Sequence, residues 1–176
     1  MVLLGSGGHT GEMIRLLQKV ELKKYKRVWV TSSGDLTSVT KAKDTEATIS
    51  TGTAEFMELP RARKVGEPLA SSFVSTIISF YKTAVLMACR VRAGQMPSLL
   101  VLNGPGTCVP LAYIIFGMHF LGMCRTRIVY VESLARVKKL SVSGLLILPI
   151  ADRFIVQWGE LQKAYGGRLE YYGILV

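Results

Sequence analysis

The strongest constraint in the sequence is its first dozen residues, where a short apolar run leads directly into a glycine-rich turn. Residues 2–4 are apolar, residues 5–8 read Gly-Ser-Gly-Gly, and His9 and Thr10 follow. Such glycines let backbone N–H groups approach a ligand, and the following helix directs the positive end of its dipole at the same point. We therefore predict a buried strand, a phosphate-binding turn and a helix over 11–20 with Thr10 as its N-cap. An ordinary tight strand–helix turn would carry the same glycines.

Length and charge narrow the class of protein. A chain of 176 residues is expected to form a single domain, residues 1–176, around one core. Its 22 Lys and Arg residues against 12 Asp and Glu residues give a net charge of +10. This excess favours an anionic partner, which is a nucleic acid, an acidic membrane surface or a phosphorylated substrate.

The cysteines predict neither a metal site nor a disulfide framework. Cys89, Cys108 and Cys124 form no CxxC pair and have no histidine at metal-ligand spacing. We expect buried free thiols in a reducing compartment, and no metal.

Two features bear on membranes. The chain starts inside its first strand, so we expect no signal peptide or N-terminal membrane anchor in this sequence. Residues 107–124 are apolar over nearly the length that spans a bilayer, but glycines, prolines and His119 interrupt them. A buried core helix is favoured over a membrane span.

The rest of the chain alternates between strand and helix patterns. Further strands are predicted at 27–31, 53–59 (a possible edge), 98–102, 126–131 and 153–158, and an extended tail at 169–176. Helices are predicted at 69–92, 107–124, 141–150 and 159–165, while 36–46 is either a surface helix or a mobile loop.

The long helix at 69–92 follows a basic loop, residues 60–68, that contains Arg61, Arg63 and Lys64. Its apolar side is predicted to carry Phe73, Ile77, Phe80, Ala84, Met87 and Val91. This helix either covers one face of the sheet, which is the favoured interpretation, or lies on a membrane.

Alternating strands and helices with continuous apolar strands predict an α/β fold, a doubly wound parallel sheet of the Rossmann-like type. In the usual order of such a sheet, strands one and four are neighbours at the switch point where ligands bind. Strand four ends in a second glycine turn, residues 103–107 (Asn-Gly-Pro-Gly-Thr). We therefore expect the two glycine turns to face one crevice.

Several common chemistries are disfavoured. A dinucleotide site needs a third glycine where Thr10 stands and an acid at the end of strand two, where the first acid is Asp35. A P-loop needs Gly-Lys-Ser/Thr, and the first lysine is Lys19. The Gly-x-Ser-x-Gly elbow of hydrolases is missing as well. Glycosyl transfer remains, in which glycine loops and helix N-termini neutralise a diphosphate without a metal or cofactor.

Four segments carry a resemblance to a known family. They are Leu-Gly-Ser-Gly-Gly-His-Thr-Gly-Glu-Met at 4–13, Asn-Gly-Pro-Gly-Thr at 103–107, Tyr-Val-Glu-Ser with Ala-Arg-Val at 130–137, and Pro-Ile-Ala-Asp-Arg-Phe-Ile-Val-Gln-Trp at 149–158. They resemble, in order and over the whole chain, the membrane-anchoring subunit of the UDP-N-acetylglucosamine transferase of dolichol-linked oligosaccharide assembly.

The resemblance implies the N-terminal, acceptor-side half of a GT-B glycosyltransferase. A soluble catalytic partner subunit would supply the UDP-N-acetylglucosamine-binding half, so this chain alone is expected to be inactive. The pair, an inverting transferase, would add the second N-acetylglucosamine to N-acetylglucosaminyl-diphospho-dolichol on the cytosolic face of the endoplasmic reticulum membrane. A non-catalytic scaffold that only recruits the partner is the alternative. Nucleic-acid binding is disfavoured because no recognition motif accompanies the charge.

The resemblance also assigns residues. Backbone and side chains of the two turns would bind the acceptor diphosphate: Gly5, Ser6, Gly7, Gly8, Thr10, Asn103, Gly104, Gly106 and Thr107. His9 would hydrogen-bond or deprotonate the attacking sugar hydroxyl, unless it is a structural loop histidine. Glu132 would orient His9 or bind the acceptor sugar, unless it forms a salt bridge with Arg136 or Lys138. Asp152, Arg153 and His119 are expected to be structural, with His119 in the core.

Two surfaces are expected to bind other components, one the partner subunit and the other the membrane. The C-terminal residues Tyr172, Gly173, Ile174, Leu175 and Val176 would dock the partner subunit. Because the family's N-terminal anchor is missing from this sequence, peripheral membrane binding through the basic loop and the apolar helices is predicted.

Overall fold

The computed structural model describes residues 1–49, 52–60, 69–104 and 106–176, with the backbone alone for 69–75. Residues 61–68 of the basic loop predicted at 60–68 and Pro105 of the second glycine turn therefore lie outside the described residues.

The described residues form an open sheet of seven parallel strands in the order β3-β2-β1-β4-β5-β6-β7. The strands are β1 Val2–Leu3, β2 Arg27–Ser32, β3 Ala54–Leu59, β4 Leu99–Asn103, β5 Arg127–Val131, β6 Arg153–Val156 and β7 Leu169–Tyr171. The helices are α1 Gly8–Gln18, α2 Leu36–Ile49, α3 Leu69–Arg92, α4 Cys108–Phe120, α5 Val142–Ile147 and α6 Gly159–Tyr165. This is the predicted Rossmann-like α/β fold, and β1 and β4 are neighbours as expected.

Two apolar clusters hold the helices against opposite faces of the sheet. The larger one joins side chains of α3, α4, α5 and α6 to one face of the strands, including Leu102, Tyr130 and Phe154. The smaller one joins α1 and α2 to the other face over β1 and β2, around Trp29 and Met13. The arrangement follows from right-handed crossovers, because the chain moves from β1 to β3 in one direction and from β4 to β7 in the other.

Several element boundaries differ from the sequence predictions for physical reasons. The segment at 36–46 is a helix, α2, whose Ala42 and Ile49 are buried. Residues 169–171 of the predicted tail form a seventh strand, because they pair with β6 in register, for example Ile155 with Glu170. The first helix begins at Gly8, and Gly7 stands at its N-cap. The prediction of Thr10 as the N-cap is therefore wrong.

Helix α4 confirms the prediction of a core helix. Cys108, Leu111, Ala112 and Ile115 have no exposed surface. Among the described residues, there is no helix with the length and hydrophobicity needed to cross a bilayer.

Helix α3 has the predicted bounds, and Met87 is buried as predicted, but the packed side is rotated toward Ser79 and Thr83. The side chain of Phe73 lies outside the described residues. The buried positions are Ser79, Thr83, Met87 and Arg90, whereas Ile77 is 53% exposed. Arg90 explains the rotation, because its guanidinium lies buried against the sheet in a bidentate ion pair with Glu55 of β3, at 2.7 and 3.0 Å. The predicted position of Ile77 on the packed side is therefore wrong, and apolar side chains face outward instead.

Candidate functional site

The glycine turns after β1 and β4 meet at the carboxyl edge of the sheet. Gly104 has φ +61°, and a Cβ built on it would lie within 3.0 Å of three ring atoms of His9. Only glycine combines this backbone conformation with room for the imidazole. The prediction that the two turns share one crevice is confirmed.

His9 lies in the first helical turn of α1, and its side chain is held by a residue of the second glycine turn, the one after β4. Its Nδ1 lies 2.9 Å from Oδ1 of Asn103, the last residue of β4. Asn103 is fully buried, whereas the His9 side chain keeps 35% of its surface exposed. The imidazole is thus anchored on one side and accessible on the other.

Glu12, one turn along α1, connects His9 to a third strand end. Its Oε2 lies 3.5 Å from His9 Nδ1. Its Oε1 accepts hydrogen bonds from the backbone N–H of Leu134 at 2.6 Å and from the hydroxyl of Ser133 at 3.1 Å, both just beyond β5. Sequence reasoning passed over Glu12, although its spacing three residues after His9 on a helix is the signal that would have found it.

The pKa values of the His9–Glu12 pair move in the directions that favour charge on both groups. The Glu12 carboxylate beside the ring raises the pKa of His9 above its ordinary value, and burial opposes this without cancelling it. Burial alone would raise the pKa of Glu12, but contacts with His9, Leu134 and Ser133 hold it below the ordinary value. A partly exposed imidazole whose pKa is raised above its ordinary value suits a residue that exchanges a proton with a substrate.

Glu132 lies deeper than predicted and serves a different part of the fold. It has no exposed surface, and its carboxylate accepts hydrogen bonds from the Ser133 N–H and from the N–H and hydroxyl of Ser141, the N-cap of α5. Glu12 lies beside Nδ1 of His9, and the orienting role expected of Glu132 stays a prediction. The contact of Glu132 with the acceptor sugar stays a prediction.

The remaining turn residues divide into an exposed and a buried group. Ser6, Gly7, Gly8 and Gly106 are exposed at the crevice, while Gly5, Thr10 and Thr107 are buried. The hydroxyl of Thr10 hydrogen-bonds to the Gly5 carbonyl and lies 2.6 Å from that of Ser38 in α2. Thr107 lies 3.2 Å from the Ser32 hydroxyl at the end of β2. The buried threonines brace the turns, and their predicted substrate contacts remain predictions.

Residues expected to be structural lie at the opposite edge of the sheet. Asp152 accepts hydrogen bonds from the Ile128 N–H at 2.7 Å and from Arg127 at 2.6 Å, and Arg153 pairs with Glu170. His119 is exposed, with Nδ1 3.1 Å from the Thr126 carbonyl. Its predicted place in the core is wrong, because the last turn of α4 presents this side to solvent together with Phe116 and Phe120.

The C-terminal tail folds back beside the sheet. The Leu175 N–H donates to Oε1 of Gln157 at 3.3 Å, and the Leu175 carbonyl accepts from Lys19 at the end of α1 at 3.2 Å. Tyr172 and Ile174 are 59% and 52% exposed. The predicted partner-binding residues thus form an ordered strip with apolar side chains facing outward.

Comparison with known proteins places this site in a family. The family model described as "Oligosaccharide biosynthesis protein Alg14 like" matches residues 1–175. The chain belongs to the Alg14 family. The residues of the two glycine turns, His9, Glu12 and Glu132 all lie inside the matched range.

Members of the Alg14 family from several yeasts align over nearly the whole chain. A relative from Debaryomyces hansenii is 57% identical, with 100% of this chain and 75% of the relative covered. One from Candida albicans is 52% identical, covering 99% and 77%, and one from Schizosaccharomyces pombe is 38% identical, covering 99% and 82%. Each of these relatives is named as a UDP-N-acetylglucosamine transferase subunit.

The close approach of the two turns predicts the effect of adding one methyl group. Gly104→Ala should lower the free energy of unfolding by about 1–3 kcal/mol, because its Cβ meets the His9 ring and alanine disfavours positive φ. Chemical denaturation of the full chain measures this change. Gly106→Ala is the matched control, since its Cβ would meet open space. Equal stability of the two variants would contradict the described packing.

Proposed function

We propose that this Alg14-family chain is the acceptor-side subunit of a two-chain UDP-N-acetylglucosamine transferase. It would bind N-acetylglucosaminyl-diphospho-dolichol, and a partner subunit would bring UDP-N-acetylglucosamine across the crevice, as in the two halves of a GT-B enzyme. The observation that carries the proposal is the meeting of two glycine turns around a partly exposed histidine.

The crevice suits a diphosphate. Helices α1 and α4 begin directly after the two turns, so the positive ends of both dipoles and their unpaired N–H groups face it. The acidic side chains nearest the crevice, Glu12 and Glu132, are held in hydrogen bonds with the loop after β5 and with Ser141. Repulsion of an anionic ligand is therefore limited, and the net charge of +10 adds attraction.

His9 provides the proton acceptor for transfer. The acceptor sugar hydroxyl would attack the anomeric carbon of UDP-N-acetylglucosamine, the bond from that carbon to the UDP oxygen would break, and the hydroxyl proton would pass to His9. UDP leaves with the bonding electron pair, and attack from the opposite side inverts the anomeric configuration. A histidine in this role typically contributes a factor of about 10²–10⁴ to the rate.

A sheet face without a helical cover supports the need for a second chain. On β4, β5 and β6 several side chains opposite the main core are exposed or only partly buried, including Leu99, Val129 and Ile155, whereas Asn103 and Val131 at the strand ends are buried. All-parallel sheets are normally covered on both faces. The tail folds back beside β6 and exposes Tyr172 and Ile174, so we assign the tail and the adjacent sheet face to the partner subunit.

The opposite, helical layer suits a membrane. Apolar side chains on α3, α4 and α5 are 41–82% exposed: Ile77, Ile78, Tyr81, Val85, Phe116, Phe120, Val142, Leu145 and Leu146. Residues 68–131 and helix α5 contain no Asp or Glu, while Lys82, Arg92, Arg125, Lys138 and Lys139 are exposed. Apolar side chains among unopposed cations fit an anionic lipid surface, at about 1 kcal/mol per cation. This outer face would lie on the cytosolic side of the endoplasmic reticulum membrane, peripherally.

Removal of the imidazole tests the catalytic assignment. In the complex reconstituted with its partner subunit, His9→Ala should reduce kcat by about 10²-fold or more, because the attacking hydroxyl loses its proton acceptor. Transfer of labelled N-acetylglucosamine to a diphospho-polyprenol acceptor is the measurement. His119→Ala, at the other edge of the sheet, should retain near wild-type activity. Full activity of His9→Ala would instead support the alternative function, a non-catalytic recruitment scaffold.

Truncation tests the partner surface. Deletion of residues 172–176 should abolish co-purification of the partner subunit, and Ile174→Asp should weaken it, because both remove exposed apolar area. Val20→Asp, which changes a comparably exposed residue at the end of α1, serves as the control. An intact complex after the deletion would refute the docking assignment.

Liposome flotation tests the membrane surface. The 176-residue chain should float with phosphatidylcholine vesicles that contain phosphatidylserine and be released by high salt. Tyr81→Ser should weaken this binding, whereas Tyr25→Ser, on a similarly exposed tyrosine before β2, should not. Binding that survives high salt would indicate insertion into the bilayer. Equal binding by the two variants would exclude the outer side of α3, α4 and α5 as the membrane-binding surface.

A further inference from the structure

The side chain of His9 has the Glu12 carboxylate beside one of its ring nitrogens. Nδ1 has two polar neighbours: Oδ1 of Asn103 at 2.9 Å and Oε2 of Glu12 at 3.5 Å. In the described part of the chain, no residue hydrogen-bonds to Nε2. The protonation of the ring therefore depends on what these two neighbours can accept.

The Glu12 carboxylate favours one of the two neutral forms of the imidazole, which carry the proton on Nδ1 or on Nε2. An asparagine amide can present either its oxygen or its nitrogen to Nδ1, and at Asn103 the Nδ2 atom is buried without a partner among the described residues. An ionised carboxylate only accepts hydrogen bonds. At 3.5 Å from Nδ1, its otherwise unpartnered Oε2 favours the proton on that atom, and Nε2 then carries the lone pair.

Glu12 is itself held in place. Because Oε1 accepts from the Leu134 N–H at 2.6 Å and from the Ser133 hydroxyl, the carboxylate cannot rotate away and Oε2 remains beside the ring. Its side chain is only 13% exposed, so competition from water is small. The loop after β5 thereby fixes a side chain on α1.

We propose that Glu12 is a positioning residue that keeps the proton on Nδ1 of His9 and so makes Nε2 the atom that receives the proton of the attacking hydroxyl. The effect of Glu12 on catalysis rests on the proposed function. Its effect on the position of the proton on His9 does not. On transfer, the substrate O–H bond breaks, an N–H bond forms at Nε2, and the resulting imidazolium is stabilised by the adjacent carboxylate.

The charged and polar neighbours of His9 all raise its pKa. Its titratable neighbours are Glu12 on α1 and Glu132 at the end of β5, and both raise the pKa of His9, while Asn103 at the end of β4 adds a hydrogen bond. No described cation forms an ion pair with Glu12 in place of His9. Neutralising Glu12 should therefore lower the pKa of His9 and release its preference for one neutral form.

The test is nitrogen-15 NMR of the histidine rings in the full chain assembled with its partner subunit. The chain has two histidines, so His119 serves as an internal control. Wild-type neutral His9 should show the proton on Nδ1. Glu12→Gln, which keeps an oxygen for Leu134 and Ser133, should lower the pKa of His9 and raise the share with the proton on Nε2, leaving His119 unchanged. A wild-type ring protonated on Nε2, which needs no variant to observe, would overturn the proposal, as would an unchanged His9 in Glu12→Gln.

Kinetics separate this proposal from the proposed function. Glu12→Gln should reduce kcat about tenfold with little change in KM, and should move the acidic limb of the pH profile to lower pH. Glu21→Gln, an exposed carboxylate paired with Lys24, is the control. A lowered pKa of His9 with an unchanged pH profile would support the positioning role and contradict His9 as the base.

Discussion

The structure depends on the contact between the His9 ring and the bare Cα of Gly104. The contact exists because β1 and β4 are adjacent parallel strands, so the turns that follow them emerge side by side at the same edge of the sheet. A side chain at position 104 would occupy the space of the imidazole, and a shift of either strand would separate His9 from Asn103. The candidate site is therefore a direct product of strand order, and the packed core beneath it fixes its geometry.

In this basic protein, the acidic side chains near the crevice accept hydrogen bonds from other parts of the chain. Glu12 accepts a hydrogen bond from the loop after β5, and Glu132 accepts one from Ser141. Asp35, at the end of the β2 turn, accepts hydrogen bonds from the N–H and hydroxyl of Ser38 within α2. These contacts keep the carboxylates largely buried and order the loops around the surface that would receive a diphosphate. The same carboxylates thus serve both the fold and the electrostatics of the crevice.

The chain also leaves two surfaces that a self-contained α/β enzyme would cover. One is the face of β4, β5 and β6 opposite the main core, and the other is the outer side of α3, α4 and α5. They lie on opposite sides of the sheet, so one can meet a partner subunit while the other meets lipid. With the crevice at the carboxyl edge between them, a lipid-borne acceptor and a sugar donor from another chain would reach the site from different sides. This geometry would suit the proposed transferase, in which two polypeptides share one site.

The sequence by itself determined the class of fold and the position of the crevice, because both follow from local patterns. Continuous apolar strands alternating with helices require a parallel sheet, and glycine turns after strands one and four require a shared edge. It also pointed to His9, whose place in a glycine turn is visible without coordinates. The sequence could not assign Glu12, since its importance comes from Leu134 and Ser133, more than 120 residues away. The buried state of Glu132, the outward rotation of Ile77 and the seventh strand were likewise decided by tertiary contacts: Ser141, the Arg90–Glu55 ion pair and pairing with β6. Local periodicity specifies which elements form, whereas the partner of a polar side chain depends on which elements the fold brings together.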